Sequence, residues 1–491
     1  MSLFAFEGRI HAPEFREGLT WFNVAAPLRL KDLRGRLVLL DFWTYCCINC
    51  LHVLPDLKFL EHRFANQLTV IGVHSPKFPN EKVDENVRQA IARHGIEHPV
   101  VNDPDLSHWR QFGIRAWPTL ALIDPEGIAV ALAPGEGNLE ALDALIAELI
   151  EIFRQKGSLK EGPGPQALPT ALDGPLLFPG KVWADPGSED VWIADSNHHR
   201  ILAVDAEGQV RARIGSGEAG MEDGDFETAG FFQPQGLCRV GDTLYVADTE
   251  NHLLRAVDLR QGRVDTVAGT GEQAPPGEGP GPGLEVALNS PWDLCFVPPY
   301  LYVAMAGSHQ IWRYHPESML MVPFAGSGRE ARVDGPASRA ALAQPSGLAS
   351  DGKYLYVADS EVSAIRRIAL DGEDRVESLV GLDLFLFGDK DGVGPEVRLQ
   401  HPLGVAAHAG ALWIADTFNH RVKHLDPETR ECRGFAGTGR PGRGLGRDTG
   451  LYEPGGISAR GGELFVADTN NHRIVVLDLA SGEGRELPVK I

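Results

Sequence analysis

Three of the six cysteines fall within five residues: Cys46, Cys47 and Cys50 in the segment WTYCCINC at 43–50. Two thiols separated by two residues can close into a disulfide and reopen by exchange with another one. The working species is the thiolate, and its surroundings decide which cysteine supplies it. RLVLLDFW at 36–43 is an almost continuous apolar run, the pattern of a strand buried on both faces. After Cys47, Leu51, Leu54, Leu57, Phe59 and Leu60 recur near the helical period. The Cys-x-x-Cys therefore stands where a strand hands over to a helix. Backbone N–H groups are unpaired at such a point and the helix dipole is positive, which favours a thiolate on the first cysteine. Cys47 is read as the nucleophile and Cys50 as the thiol that resolves the mixed disulfide.

Other chemistry is open to the same segment. Cys46, Cys47, Cys50 and His52 are four soft ligands within seven residues. Adjacent cysteines at a helix start diverge, however, and zinc sites generally pair two separated knuckles. The third thiol, Cys46, either reshuffles the disulfide or fills a small half-buried space. Six cysteines in 491 residues are too few for a disulfide-stapled scaffold.

The elements that position these residues alternate strand and helix over 27–156. LTVIGVHS (68–75) is a second buried strand, and EKVDENVRQAIARHG (81–95) is a polar helix stopped by Gly95. HPVVND is a short strand. TLALIDPEGIAVAL (119–132) is a hairpin turning at 124–127, and Asn138 is placed to cap a last helix. This order gives helices packed on a mixed sheet. Residues 157–174 are rich in Gly and Pro and read as a linker.

Beyond 174 the chain repeats. VWIADSNHHRI, LYVADTENHLLR, LYVAMAGSHQIWR, LYVADSEVSAIRR, LWIADTFNHRV and LFVADTNNHRI recur every 52 to 57 residues, counted between Asp195, Asp248, Met305, Asp359, Asp416 and Asp468. Each of the last five is preceded by a turn such as QPQGLC or HPLGVA, and several are followed by one such as VAGTG. A period near 50 with about four short strands is a propeller blade, and six blades close a ring. The recurring Asp, His and Arg are expected to satisfy loop backbone within and between blades. Trp192, Tyr245, Tyr302, Tyr356, Trp413 and Phe465 are expected to form a packing layer, with Cys238, Cys295 and Cys432 as structural thiols.

The net charge is −21, of which residues 1–157 carry −4 and the remainder −17. Such a surface repels phosphate backbones and anionic membranes. The opening residues mix charges into every apolar stretch, so no signal peptide is read, and no run is long enough to span a membrane. A soluble cytoplasmic protein with reduced thiols is the expectation.

On these residues, FWTYCCINC resembles the thioredoxin and TlpA-like pattern, and APEFREGLTWFNVAAPLRLKDLRGR resembles the lead-in of TlpA-like and peroxiredoxin-like domains. The resemblance implies that Asp41 is the buried carboxylate that exchanges a proton with the resolving cysteine. It implies that Pro55 kinks the active-site helix and that Trp117-Pro118-Thr119 is the loop whose cis proline faces the disulfide. Cys46 departs from the tryptophan usual there, and Ile48-Asn49 from Gly-Pro. Thr44, three before Cys47, is similar to peroxiredoxins, although Leu40 stands where their proline is expected. ADTFNHRV and ADTNNHRI resemble NHL repeats, with Asn251-His252, Asn419-His420 and Asn471-His472 as the named pair and His198-His199 as a variant. Met305 breaks the third copy and Ser363-Ala364 the fourth. Nearly the whole chain resembles the NHL repeat-containing protein two family.

The expected organisation is an α/β thioredoxin-like domain (1–156), a linker (157–174) and an all-β six-bladed NHL propeller (175–491). The expected activity is thiol–disulfide exchange through Cys46, Cys47, Cys50, Asp41 and Pro118, on a protein thiol or disulfide docked by the propeller. No cofactor, metal, nucleic acid or membrane partner is expected. The alternatives are a redox-sensing scaffold without turnover, a thiol peroxidase, and a propeller hydrolase or lyase with His and Asp converging on its channel.

Overall fold

The computed structural model describes residues 4–168 and 172–491. The chain divides into two compact units, the first ending at Leu172 and the second beginning at Asp173.

The first unit is a seven-stranded mixed sheet. Its strands are β1 (Phe4–His11), β2 (Trp21–Phe22), β3 (Leu37–Trp43), β4 (Leu68–His74), β5 (Val100–Asn102), β6 (Thr119–Ile123) and β7 (Ile128–Pro134). Their order is β1-β7-β6-β3-β4-β5-β2, with β3, β4 and β5 parallel and the remaining pairs antiparallel. Helices α1 (Ile48–Arg63), α2 (Asp84–Arg93), α3 (Ser107–Gln111) and α4 (Leu139–Lys156) complete it. Strand alternation splits the sheet into two faces. Val38, Leu40, Phe42, Ile71 and Val73 pack against Leu30, Leu33, Phe112 and Ile114. Leu37, Leu39 and Val70 pack against Leu57 and Leu60 of α1 and Leu142 and Ile146 of α4. Burial on both sides explains why the central strands read as continuous apolar runs.

The edge strands β1 and β2 and the five-residue α3 carry no such run, and periodicity missed them. Asn138 does precede α4, but its side chain donates to the carbonyls of Pro134 and Gly135 instead of capping the helix. The segment read as a linker is bound to this unit over its first part. Lys160 N–H donates to Gly35 O, Gly162 N–H to Asn66 O, and Leu168 N–H to Asn23 O.

The second unit is a six-bladed propeller with four strands in the first and last blades and five in each of the others. The innermost strand of each blade touches that of the next, and the sixth (Pro454–Arg460) touches the first (Val182–Ala184), which closes the ring. The C-terminal residues seal the closure: Lys490 N–H donates to Gly208 O at 2.9 Å. The aromatic at one position per blade is buried in all six copies.

Candidate functional site

Helix α1 begins at Ile48 with Cys47 as its N-cap residue, and no side chain caps it. Cys47 N–H donates to Thr44 O, and Cys50 N–H donates back to Cys47 O at 3.0 Å. The loop therefore winds directly into the helix and sets the cysteines one turn apart. Cys47 is half-buried, while Cys46 and Cys50 are buried and all are free thiols. Burial pushes the Cys50 thiol well above its ordinary range, and its hydrogen bond to Cys47 and the neighbouring Cys47 and Asp41 push the same way. A pair in which one sulfur meets solvent and the other does not is the asymmetry that exchange requires.

Asp41 lies beneath Cys50 on the α1 face of the sheet, in register with Gly72 on β4 and Leu120 on β6. It is fully buried, and neither carboxylate oxygen has a hydrogen-bond partner in the protein. Desolvation lifts its pKa to about 7, against an opposing pull from His98. Pro118 follows a cis Trp117–Pro118 peptide. Register pairs Thr119 with Phe42, so Pro118 lies at the sheet end from which the cysteine loop departs. Trp117 packs on Trp109 at 4.4 Å between ring centroids and donates its indole N–H to Ser75 O. Pro55 lies inside α1 and has no N–H for the carbonyl one turn back.

Cys46 belongs to a different set of contacts. Its N–H and the Thr44 hydroxyl both donate to Oε1 of buried Glu81, at 3.0 and 2.7 Å. Oε2 of the same carboxylate accepts from the N–H groups of Lys77 and Phe78. One buried side chain thus ties the cysteine loop to the turn that leads into α2. Sequence reading missed Glu81; the Pro79-Asn80-Glu81 start of a helical turn was its only signal. A hydroxyl has one proton to give, and that of Thr44 is engaged on Glu81. His52 turns to Glu136, 2.8 Å away. Of the four soft ligands considered together in the sequence, Cys46 meets Thr44, His52 meets Glu136, and Cys47 and Cys50 meet each other.

In the propeller, the recurring aspartates are structural. Asp248 accepts from Phe232 N–H, Asn251 and Arg255 at 2.8 to 2.9 Å. Asp468 accepts from Tyr452 N–H, Asn471 and Arg473 at 2.6 to 2.8 Å. The histidines join successive blades: Nδ1 of His252, His309 and His420 accepts the N–H of Ser290, Gln344 and Glu453. The last link is circular, with His472 of the sixth blade accepting Phe178 N–H before the first.

The residues lining the axis differ from the converging His and Asp set that the hydrolase or lyase alternative requires. The residue after the Pro-x turn is glycine in four blades, Gly236, Gly347, Gly404 and Gly456. Neighbouring strands pass so close that a Cβ on Gly456 would lie 2.6 Å from Lys181 Cα. In the other two blades the same position holds Lys181 and Asp293. They pair at 3.3 Å. The Lys181 ammonium also donates to the carbonyls of Ser346 and Leu403, and Asp293 accepts Leu348 N–H. The ion pair and the two carbonyls, contributed by four blades in all, meet across the ring. Among the described residues no three His, Cys, Asp or Glu side chains converge as metal ligands in either unit.

A thioredoxin-like family model matches residues 35–129 and an NHL-repeat model matches 451–477. The chain is 43% identical to bovine NHL repeat-containing protein 2 over 99% of its length and 72% of that protein. It is 46% identical to Protein SUPPRESSOR OF QUENCHING 1, chloroplastic, of Arabidopsis thaliana, over 97% of its length and 47% of that protein. It thus spans about half of the plant relative. The first unit alone is 27% identical to the thiol-disulfide oxidoreductase ResA of Bacillus anthracis, over 25% of this chain and 68% of that one. No helix among the described residues is long and apolar enough to cross a membrane.

Proposed function

This chain belongs to the NHL repeat-containing protein 2 family, and on that premise we propose that it is a thiol–disulfide oxidoreductase whose propeller binds the protein partner. The reading rests on one observation: a free dithiol at a helix start, with Cys47 half-exposed and Cys50 buried over Asp41. Cys47 attacks a sulfur of the substrate disulfide. The substrate S–S bond breaks, and its other sulfur leaves as a thiolate that takes a proton from solvent. Cys50 then loses its proton and attacks Cys47 Sγ, which releases the substrate as a second thiolate. The dithiol gives up two electrons and the substrate gains them; a second thiol or dithiol reductant restores the pair.

The Thr44 hydroxyl, held by Glu81, is not free for the role a thiol peroxidase would give it. The Lys181–Asp293 pair across the ring disfavours a hydrolase or lyase site there, and the outer faces of the propeller are the proposed surface for a protein partner. Partner identity and a cytoplasmic location are part of the same reading. The location rests on six cysteines that stand as free thiols.

The test is reduction of insulin disulfides by the full chain with dithiothreitol as reductant. Cys47→Ser is expected to bring turnover down to the uncatalysed rate, and Cys46→Ala to keep most of it. Undiminished turnover by Cys47→Ser sinks the proposal.

A further inference from the structure

Cys50 must lose a proton inside the protein, at a site sealed from solvent by α1. Asp41 can receive it, but Asp41 is itself fully buried and neither of its oxygens has a hydrogen-bond partner in the protein. The proton needs an exit, and the strand register points to one. Asp41 lies beside Gly72, and Gly72 beside Val100, across three parallel strands on the α1 face. Gly72 carries no side chain, and two ring nitrogens and a Val100 methyl, 3.1 Å from the point where a Cβ would sit, line the notch. Trp43 Nε1 lies 3.0 Å, and His98 Nε2 3.4 Å, from the point where a Cβ on residue 72 would sit. Both nitrogens are buried and unpartnered in the protein.

His98 is anchored by its backbone. Asn23 donates its side-chain amide to the carbonyls of Ile96 and His98, at 2.7 and 3.0 Å. The far side of the ring meets Glu61, with Nδ1 at 3.3 Å from Oε2. The Glu61 side chain is 28% exposed against 4% for His98. The ring therefore spans the distance from a buried notch to a carboxylate at the surface. With its Nδ1–H given to Glu61, the imidazole presents a bare Nε2 to the Asp41 side, which is the tautomer that can accept a proton.

We propose that His98 and Glu61 form a proton exit behind the dithiol, in which water held in the Gly72 notch links Asp41 to His98 Nε2. This rests on the oxidoreductase reading above. When the Cys50 S–H bond breaks, the proton goes to Asp41. From Asp41 it passes through water to His98 Nε2, while the Nδ1 proton leaves to Glu61 and solvent. The imidazole returns to its starting tautomer by a ring flip or by the reverse passage when the disulfide is reduced. Buried water bridging otherwise unpartnered polar groups is a common structural element. The elevated pKa of Asp41, about 7, suits a group that takes and releases a proton near neutrality.

The test separates the two chemical steps in the full chain. Reaction with 5,5′-dithiobis(2-nitrobenzoate) releases one thionitrobenzoate when Cys47 attacks and a second when Cys50 resolves the adduct. In His98→Gln the first release is expected at the wild-type rate. The second slows roughly ten-fold, less than the ~100-fold or more expected for loss of a direct proton acceptor, because Asp41 still takes the first proton. Glu61→Gln, a near-isosteric change at a partly exposed side chain, slows the second release several-fold. Added imidazole restores the second release in His98→Gly, which a purely structural role for the ring would not allow. Two wild-type phases with an unchanged second phase in both His98→Gln and Glu61→Gln overturn the exit. A single phase in the wild-type protein overturns the dithiol reading, and the exit with it.

Discussion

Asp41 in the first unit and Asp248 in the propeller are both fully buried strand aspartates, and burial raises the pKa of each, to about 7 and about 6. Their surroundings differ in kind. Asp248 accepts from a backbone N–H, an amide and a guanidinium, and it recurs with similar partners at Asp359 and Asp468. Asp41 accepts from none. A buried polar group is normally satisfied, and an unsatisfied one costs roughly 1–3 kcal/mol or more when charged. The propeller uses its carboxylates to fix loops and blades. The first unit keeps one unpaired beside the buried Cys50 thiol, which the proposed exchange would deprotonate. Burial by itself does not distinguish the two acids; the presence or absence of hydrogen-bond partners does.

The contrast can be strained at its strongest point first. Lys181 and Asp293 are a propeller pair at the axis, and burial pulls the Lys181 ammonium below its ordinary range. Removing one member of a buried pair leaves the other uncompensated, at a cost of about 3–5 kcal/mol. Lys181→Met is expected to lower propeller stability by that amount in urea unfolding, and Lys181→Met with Asp293→Asn to recover part of it. Insulin reduction per folded molecule should not change. A Lys181→Met protein of full stability would show that the axial pair is ornamental.

Asp41→Asn should act in the opposite sense on stability. The folded-state pKa, about 7, exceeds the ordinary 3.8, so the native state resists ionisation that the unfolded chain accepts. The penalty builds as pH rises from about 4 to 7 and is complete above that. At about 1.36 kcal/mol per pKa unit, Asp41→Asn gains up to about 4 kcal/mol at pH 8 and little at pH 4. Resolution of the Cys47 adduct should slow at the same time. Unfolding of both proteins at the two pH values checks the sign; a variant less stable at pH 8 breaks the comparison.

The smallest effect lies in a blade clip. Burial pulls His420 down to about 4 while its Nδ1 accepts Glu453 N–H. A depressed histidine favours the neutral native state, so its contribution is full above about 6.5 and is lost as pH falls toward 4. His420→Gln should cost about 1–2 kcal/mol at pH 7, the range for a broken buried hydrogen bond. The gap to wild type should narrow at pH 4.5. A gap independent of pH would mean that the ring is packing alone.

Much of this was legible in the residues. The apolar run at 36–43 and the spacing of Cys47 and Cys50 place the dithiol at a strand-to-helix turn, because alternation and helical period are local properties of the chain. The six copies announce six blades for the same reason. Glu81, His98 and Glu61 were not legible. Glu81 meets Cys46 from 35 residues away and His98 meets Glu61, near the end of α1, from 37 residues away; each is an ordinary polar residue in its own neighbourhood.

Sequence alone determined the two folds and the place of Cys47 and Cys50 at a strand-to-helix turn, since chain-local pattern and spacing carry that information; Asp41 was singled out by its resemblance to the thioredoxin pattern. Tertiary structure alone decided that Cys46 belongs with Glu81, that Lys181 meets Asp293 across the ring, and that Asp41 is left unpaired beside a glycine notch. Each depends on which strands become neighbours and in what register, and pairing between distant segments is not written in the local order of residues.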